Sequence, residues 1–129
     1  MENMNVCVIE QIRKGKYSKN VSETLKLIEE NLSNPDLSLK WIASTKIFMS
    51  MDYLGRLFRN ETGMAFSQYV AKRRIEYAKE LLISEPDIKI YNVAYKSGFG
   101  DNSQHFADIF KKHTGFTPRE FQKNNTCEN

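Results

Sequence analysis

The sequence lacks the features that mark a membrane protein or a secreted protein. None of its apolar runs approaches the roughly 18 residues that a membrane-spanning helix needs. The first 20 residues contain Glu2 and Glu10 and have no apolar core or cleavage site, so they are not a secretory signal. The two cysteines, Cys7 and Cys127, lie near opposite ends of the 129 residues. We interpret them as free thiols of a cytoplasmic protein with no membrane partner.

The sequence also lacks the residue clusters that catalysis or metal binding requires. Its two histidines, His105 and His113, could serve as acid–base groups, but no Cys/His/carboxylate cluster, nucleophile triad or phosphate loop accompanies them. We therefore predict that the protein is not an enzyme and has no metal or cofactor. The net charge is only +3, from 19 basic and 16 acidic residues, so the distribution of charge matters more than its sum.

What the sequence does contain is helical periodicity almost throughout. A hydrophobic content of 40% and an aromatic content of 12% indicate a packed globular chain. Local signals predict the helix ends: Ser38, Ser50 and Asn102 as N-caps, Gly63 as a C-cap, and residues 117–120 as a capping box. With no convincing strand pattern, the sequence predicts an all-α fold of about seven helices.

An internal repeat is the most informative pattern. Six positions recur 52 residues later, and four upstream positions recur 51 residues later. The first set pairs Leu54, Leu57, Phe58, Thr62, Gly63 and Tyr69 with Phe106, Ile109, Phe110, Thr114, Gly115 and Phe121. The second set pairs Leu39, Ile42, Ala43 and Phe48 with Ile90, Val93, Ala94 and Phe99. One supersecondary unit is thus built twice, which predicts two equivalent contact sites.

Each copy of the repeat has the pattern of a helix-turn-helix. At about 100° per residue, Asp52, Arg56 and Arg59 fall together on the side of their helix opposite its apolar seam. A helix packed on one face and polar or basic on the other suits the major groove of DNA. Capped helix starts at Ser50 and Asn102 offer backbone N–H groups to a phosphate.

The motifs of the two copies and of the segment between them are together highly specific. They are Tyr53-Leu54-Gly55-Arg56-Leu57-Phe58-Arg59 with Glu61-Thr62-Gly63, Arg74-Ile75 with Ala78 and Leu81-Leu82, Gly98-Phe99-Gly100-Asp101, Phe106, Phe110-Lys111-Lys112, Thr114-Gly115, Thr117-Pro118 and Phe121. On these residues the stretch 21–122 resembles the tandem helix-turn-helix domain of AraC/XylS-type bacterial transcription regulators. The segment Met49-Ser50-Met51-Asp52-Tyr53 is most similar to the output domains of the response-regulator branch.

The resemblance implies a domain organisation and a set of site residues. The first helix-turn-helix covers about 38–63, a linker helix about 66–83, and the second helix-turn-helix about 88–115. Residues 1–20 would be a tail or interdomain linker, and 123–129 a C-terminal tail. The implied base-reading residues are Met51, Asp52, Gly55 and Arg56 in the first copy, and Ser103, Gln104, Ala107 and Asp108 in the second, with His105 at the edge. The phosphate-binding candidates are Ser50, Arg59, Lys72, Arg73, Asn102, Lys111 and Lys112.

One departure from the repeat concerns charge. Asp108 stands where the first copy has Arg56. Phosphate repels an aspartate in the groove, unless it accepts a hydrogen bond from a cytosine amine or turns away into an ion pair. We therefore expect the first copy to dominate affinity, and the two half-sites of the DNA to differ.

A second departure concerns the first turn. Ile47 stands where the second copy has Gly98, and isoleucine disfavours the left-handed backbone that glycine tolerates. The first turn must therefore be built differently, with Lys46 or Phe48 adjusting.

The linker helix sets the expected length of the DNA site. Eighteen residues give a rod of about 27 Å, whereas successive major-groove faces repeat about every 34 Å. Two helix-turn-helix copies joined by such a helix reach adjacent turns of the duplex only if the copies are splayed or the DNA bends. We therefore expect a DNA site of about two turns. Lys72 and Arg73 either contact phosphate or are simply solvated.

We predict a sequence-specific transcription regulator, an activator rather than a repressor, or its output domain. Double-stranded DNA is the expected partner, RNA polymerase a further one. The domain would be monomeric, and a full-length protein would dimerise through another domain. The alternative is an all-helical protein-interaction adaptor, which would bind its partner without steep salt dependence. Because no sensory module is present, we favour a piece of a larger regulator over a small regulator controlled by its abundance.

Overall fold

The computed structural model describes residues 17–127, and this part of the chain contains seven α-helices and no strand. The helices are α1 Lys19–Glu30, α2 Leu39–Ile42, α3 Met51–Thr62, α4 Phe66–Ser84, α5 Ile90–Ala94, α6 Ser103–Thr114 and α7 Pro118–Cys127. Both α2 and α5 continue as a π-helical turn, Ala43–Ile47 and Tyr95–Phe99 respectively. The predicted fold class is therefore confirmed.

The chain forms two compact units. The first consists of the described residues up to Leu32 together with Asp36–Val70, and so contains α1, α2, α3 and the start of α4. The second consists of Ser33–Pro35 and the described residues from Ala71 onward, and so contains the rest of α4 with α5, α6 and α7. Each unit thus holds one copy of the repeat.

In the first unit, buried apolar side chains of α3 fix which face of that helix points inward. Leu54 and Phe58 of α3 are 0% exposed, as is Ile42 of α2. The Phe58 ring packs edge-to-face against Phe66 and Tyr69, with ring centroids 5.8 and 5.5 Å away. Because burying an aromatic side chain stabilises a small core by a few kcal/mol, this packing fixes the rotation of α3 about its axis.

The second unit repeats this arrangement with more aromatic rings. Phe106 and Phe110 of α6 are 0% exposed, and their ring centroids lie 5.6 Å apart. Phe110 also packs against Phe121 of α7 at 5.5 Å. The same buried cluster includes residues from α4 and α5: Ile75, Ala78, Leu81, Leu82, Val93 and Ala94. The inner face of α6 is therefore buried in the core of the second unit, as that of α3 is in the first.

The first and last described helices extend beyond the predicted stretch 21–122. The α1 helix begins at Lys19, where the Ser18 hydroxyl accepts from the Val21 N–H at 3.4 Å. The Ser18 N–H in turn donates to the Glu61 carboxylate at 2.7 Å, so the end of the predicted tail belongs to the first unit. At the other end, α7 runs to Cys127 because no glycine or proline follows Phe121 to stop it. Residues 1–16 of the predicted N-terminal tail lie outside the described residues.

The turns before α3 and α6 differ, as the departure at Ile47 predicts. Phe48 takes the left-handed conformation in the first turn, with φ 61° and ψ 51°. In the second turn Gly98 and Gly100 carry the positive φ values, 98° and 62°. Phe48, and not Lys46, is therefore the residue that adjusts.

Candidate nucleic-acid interface

The helices α3 and α6 are built to the same plan. Each has 12 residues, and each ends at a glycine in the left-handed region, with φ of 82° and 85°. The Ser50 hydroxyl accepts from the Tyr53 N–H at 3.1 Å, and Asn102 Oδ1 accepts from the His105 N–H at 3.0 Å. The predicted caps are thus confirmed. Capping uses only acceptor oxygens, so the Ser50 hydroxyl proton and the Asn102 amide N–H groups remain able to donate.

The outer face of α3 carries most of the residues predicted for the first reading face. Met51, Asp52 and Arg56 are all exposed. Arg59, predicted to bind phosphate, is exposed one turn further along. Since Leu54 and Phe58 of the inner face are fully buried, the polar side chains are presented by a helix that cannot easily rotate.

Gly55 lies at the boundary between the outer face and the packed face of α3, and is partly buried. A Cβ at this position would lie 3.1 Å from Cδ2 of Leu39 in α2. The glycine therefore allows α3 to approach α2 closely, a packing role that stands beside its prediction as a base-reading residue. Its counterpart in the repeat, Ala107 of α6, is likewise partly buried.

On α6, two predicted base-reading residues bind each other. Gln104 and Asp108 are both exposed, and Gln104 Nε2 donates to Asp108 Oδ1 at 3.0 Å. The sequence predicts that Asp108 either accepts from a cytosine amine or turns away into an ion pair. It does not form an ion pair here, because its partner is a neutral amide. Ser103, also predicted here, is partly buried.

Three more predicted residues lie on the exposed side of α6. The His105 side chain is exposed, and its ring packs edge-to-face on Phe99, with centroids 5.8 Å apart. Lys111 and Lys112 are exposed in the last turn. Cations there also interact favourably with the carboxyl end of the helix.

The cations of α4 do not all face solvent. Lys72 is exposed, but Arg73 is only 6% exposed and forms an ion pair with Glu76. With its guanidinium buried and paired, Arg73 is poorly placed to contact phosphate, and its role as a phosphate contact stays a prediction. Arg74 donates to the Asn34 carbonyl at 2.8 Å, and burial lowers the pKa of its guanidinium.

The sequence contains a signal that these cations do not all share one exposed face, although it was missed. Residues 72–74 are three consecutive cations. At about 100° per residue they span some 200° of the helix, so they cannot share one exposed face.

No cluster of metal-ligating side chains accompanies these surfaces. In the stretch 17–127, nowhere do three or more His, Cys, Asp or Glu side chains gather as they would around a metal ion. The helices of the same stretch include none with the length and apolarity to cross a bilayer.

Two capped helices of equal length, each preceded by a shorter helix and a turn, define a tandem helix-turn-helix protein. Comparison with known proteins identifies the family to which this tandem helix-turn-helix protein belongs. The model of a family described as a helix-turn-helix domain matches residues 43–124. YesN of Bacillus subtilis (strain 168), an uncharacterized transcriptional regulatory protein, is 47% identical over 103 residues. That match covers 80% of this chain and 28% of YesN, so the chain spans little more than a quarter of that relative.

Two further matches cover most of both partners. The transcriptional activator AarP of Providencia stuartii is 37% identical over 110 residues, which is 84% of this chain and 78% of AarP. The C-terminal domain of AraT, a response regulator from Geobacillus stearothermophilus, superimposes with a TM-score of 0.79 at 31% identity, over 83% of this chain and 86% of that one. The chain belongs to the AraC-type helix-turn-helix family of transcriptional regulators.

Proposed function

We propose that this chain is the DNA-binding part of a transcription regulator, and that α3 and α6 each enter a major groove. The observation that supports this best is the contrast between the two sides of each helix. The inner sides bury two large apolar side chains each, whereas the outer sides expose Asp52 and Arg56 on α3, and Gln104 and Asp108 on α6. Since AarP is an activator and AraT a response regulator, the proposed role is transcriptional activation by an output domain.

Within this proposal the exposed residues divide into two roles. Arg56 donates two hydrogen bonds to guanine O6 and N7, a contact worth about 1–3 kcal/mol of discrimination against other bases. Met51, Asp52 and His105 contribute further contacts to base edges. The phosphate contacts position the protein without reading sequence, and they come from Ser50, Arg59, Lys72, Asn102, Lys111 and Lys112.

The proposed DNA site covers about two turns and has two dissimilar halves. The outer residues of the two helices differ, whereas a palindrome would need two identical readers. The DNA-binding part accordingly binds as a monomer, with one protein per site. In the complete regulator, RNA polymerase is a partner and another domain mediates dimerisation. Sedimentation of the complex measures this stoichiometry directly.

The test is a mobility-shift titration at several salt concentrations, using a duplex selected from random DNA. Binding should weaken steeply as salt rises, because each phosphate contact releases a counterion. Arg59→Ala should weaken binding to every sequence and reduce the logarithmic salt slope by about one. Lys26→Ala, an exposed cation on α1, is the matched control and should change neither. DNA binding that is absent, or independent of salt, would instead favour the protein-interaction adaptor.

A further inference from the structure

We propose that Gln104 and Asp108 act as one reading pair that selects bases by their exocyclic amino groups. The inference rests on the proposed function and concerns what α6 reads. Both side chains are exposed on the outer face of α6, and the hydrogen bond from Gln104 Nε2 to Asp108 Oδ1 joins them at 3.0 Å. Helical side chains lean toward the N-terminus, so Asp108 lies directly over the turn that carries Gln104.

The hydrogen bond determines what the pair can still offer. Gln104 has two amide N–H groups and one carbonyl oxygen, and the bond uses one N–H. One N–H and the Oε1 atom remain, which is the donor–acceptor combination that matches adenine N7 and N6. Asp108 retains Oδ2, which can only accept. The pair therefore offers a donor and an acceptor that match adenine and, beside them, one charged acceptor.

The charged acceptor selects base pairs whose amino group lies on the DNA strand that Asp108 faces. Every base pair exposes one amino group in the major groove, on adenine N6 or cytosine N4, and the opposite base exposes a carbonyl oxygen. An acceptor at Oδ2 binds the amino group and is repelled by guanine O6 or thymine O4. Asp108 therefore accepts adenine or cytosine on the strand it faces, and rejects guanine and thymine.

The spacing of the pair places the two contacts on neighbouring base pairs. Residues four apart rise about 6 Å along the helix, and successive bases of one strand are about 3.4 Å apart. We expect an adenine and, one or two steps away, an adenine or cytosine.

The corresponding positions of α3 have the opposite chemistry. Asp52 and Arg56 lie at the same spacing, 52 residues earlier, but Arg56 has only donors. Guanine, with two acceptors, suits Arg56 and is rejected by Asp108. A carboxylate in a groove flanked by phosphates is thus an element of selectivity in α6, at a cost in affinity.

The test compares sequence preferences of the full chain and its variants, by selection from random DNA and competition among duplexes that differ at one position. The wild type should select adenine or cytosine at one position of the second half-site, over guanine and thymine by about tenfold or more. In Asp108→Asn the new amide can donate, so this preference should fall to about threefold or less. Asp87→Asn changes the same charge on an exposed loop residue and should leave every preference unchanged.

The Gln104→Ala variant shows whether Gln104 and Asp108 recognise bases as a coupled pair or independently of each other. If the hydrogen bond orients Asp108, this variant loses the adenine preference and also weakens selection at the Asp108 position, by about threefold or more. Thermal unfolding of each variant checks that the fold is intact. The inference is overturned if Asp108→Asn alters no position, if the altered position prefers guanine or thymine in the wild type, or if Gln104→Ala affects one position only. Failure of the wild type to select any sequence would instead overturn the proposed function.

Discussion

Phe48 shows how a single residue can take a conformation that its own side chain disfavours. Its φ of 61° lies in the left-handed region, and its side chain is 77% exposed. A left-handed backbone costs a residue with a Cβ about 1–2 kcal/mol, and an exposed ring recovers little of this by burial. The turn is maintained by its backbone: the Ala43 carbonyl accepts from the Phe48 N–H and, at 3.0 Å, from the Met49 N–H.

Replacing Phe48 by glycine should therefore stabilise the protein. We expect Phe48→Gly to raise the free energy of unfolding by about 0.5–1 kcal/mol, because relief of strain outweighs the added freedom of the unfolded chain. Urea unfolding measures it. Phe48→Ala removes the ring but keeps the Cβ, so it should stay near the wild-type value. A stabilisation equal to that of glycine would show that the ring, and not the backbone, is responsible.

Other features at the residue scale differ in how far the sequence predicts them. The caps at Ser50 and Asn102 follow from residue type and position alone, since a side-chain oxygen before a helix has few other partners. The bond between Gln104 and Asp108 depends on the rotamers of two flexible side chains, and no local rule selects it over solvation. Their spacing predicts only that they are neighbours.

At the scale of elements, α3 and α6 show one scaffold with two different surfaces. The apolar seam and the terminal glycine recur, so the bounds of these helices were predictable from the repeat. Gly55 was harder to place, because a glycine is compatible with an exposed or a packed position. Only the distance to Leu39 shows that close approach of α2 is what it allows.

The α4 helix offers a sharp test because two adjacent cations have different environments. Arg73→Ala should lower the free energy of unfolding by roughly 1–3 kcal/mol, since it removes a buried side chain together with its ion pair to Glu76. Lys72→Ala should change stability by less than about 0.5 kcal/mol, because Lys72 is exposed. Urea unfolding of the two variants measures both values.

The effects of these two variants on DNA binding should have the opposite order: the larger effect is expected for Lys72→Ala. Lys72→Ala should weaken binding to all sequences and lower the salt slope. Arg73→Ala, where it remains folded, should leave the salt slope unchanged. Equal loss of slope in both would mean that Arg73 reaches phosphate after all.

At the scale of the whole molecule, the central feature is a duplicated scaffold whose two outer surfaces differ. The all-α class and the two helix-turn-helix copies could be predicted from the sequence because apolar periodicity and repetition are global signals. The start of α1 could not. It depends on contacts such as the bond from the Ser18 N–H to Glu61, which joins residues 43 apart in the sequence.

The central claim is that α3 and α6 read different halves of one DNA site. The most direct measurement is a binding titration of the wild type, Arg56→Ala and Gln104→Ala on the selected duplex and on two derivatives, each with one half scrambled. Scrambling either half should weaken wild-type binding by about tenfold or more. Arg56→Ala should become less sensitive than the wild type to scrambling of one half only, and Gln104→Ala to scrambling of the other. Reduced sensitivity of both variants to the same half, or a half whose scrambling never matters, would contradict the account.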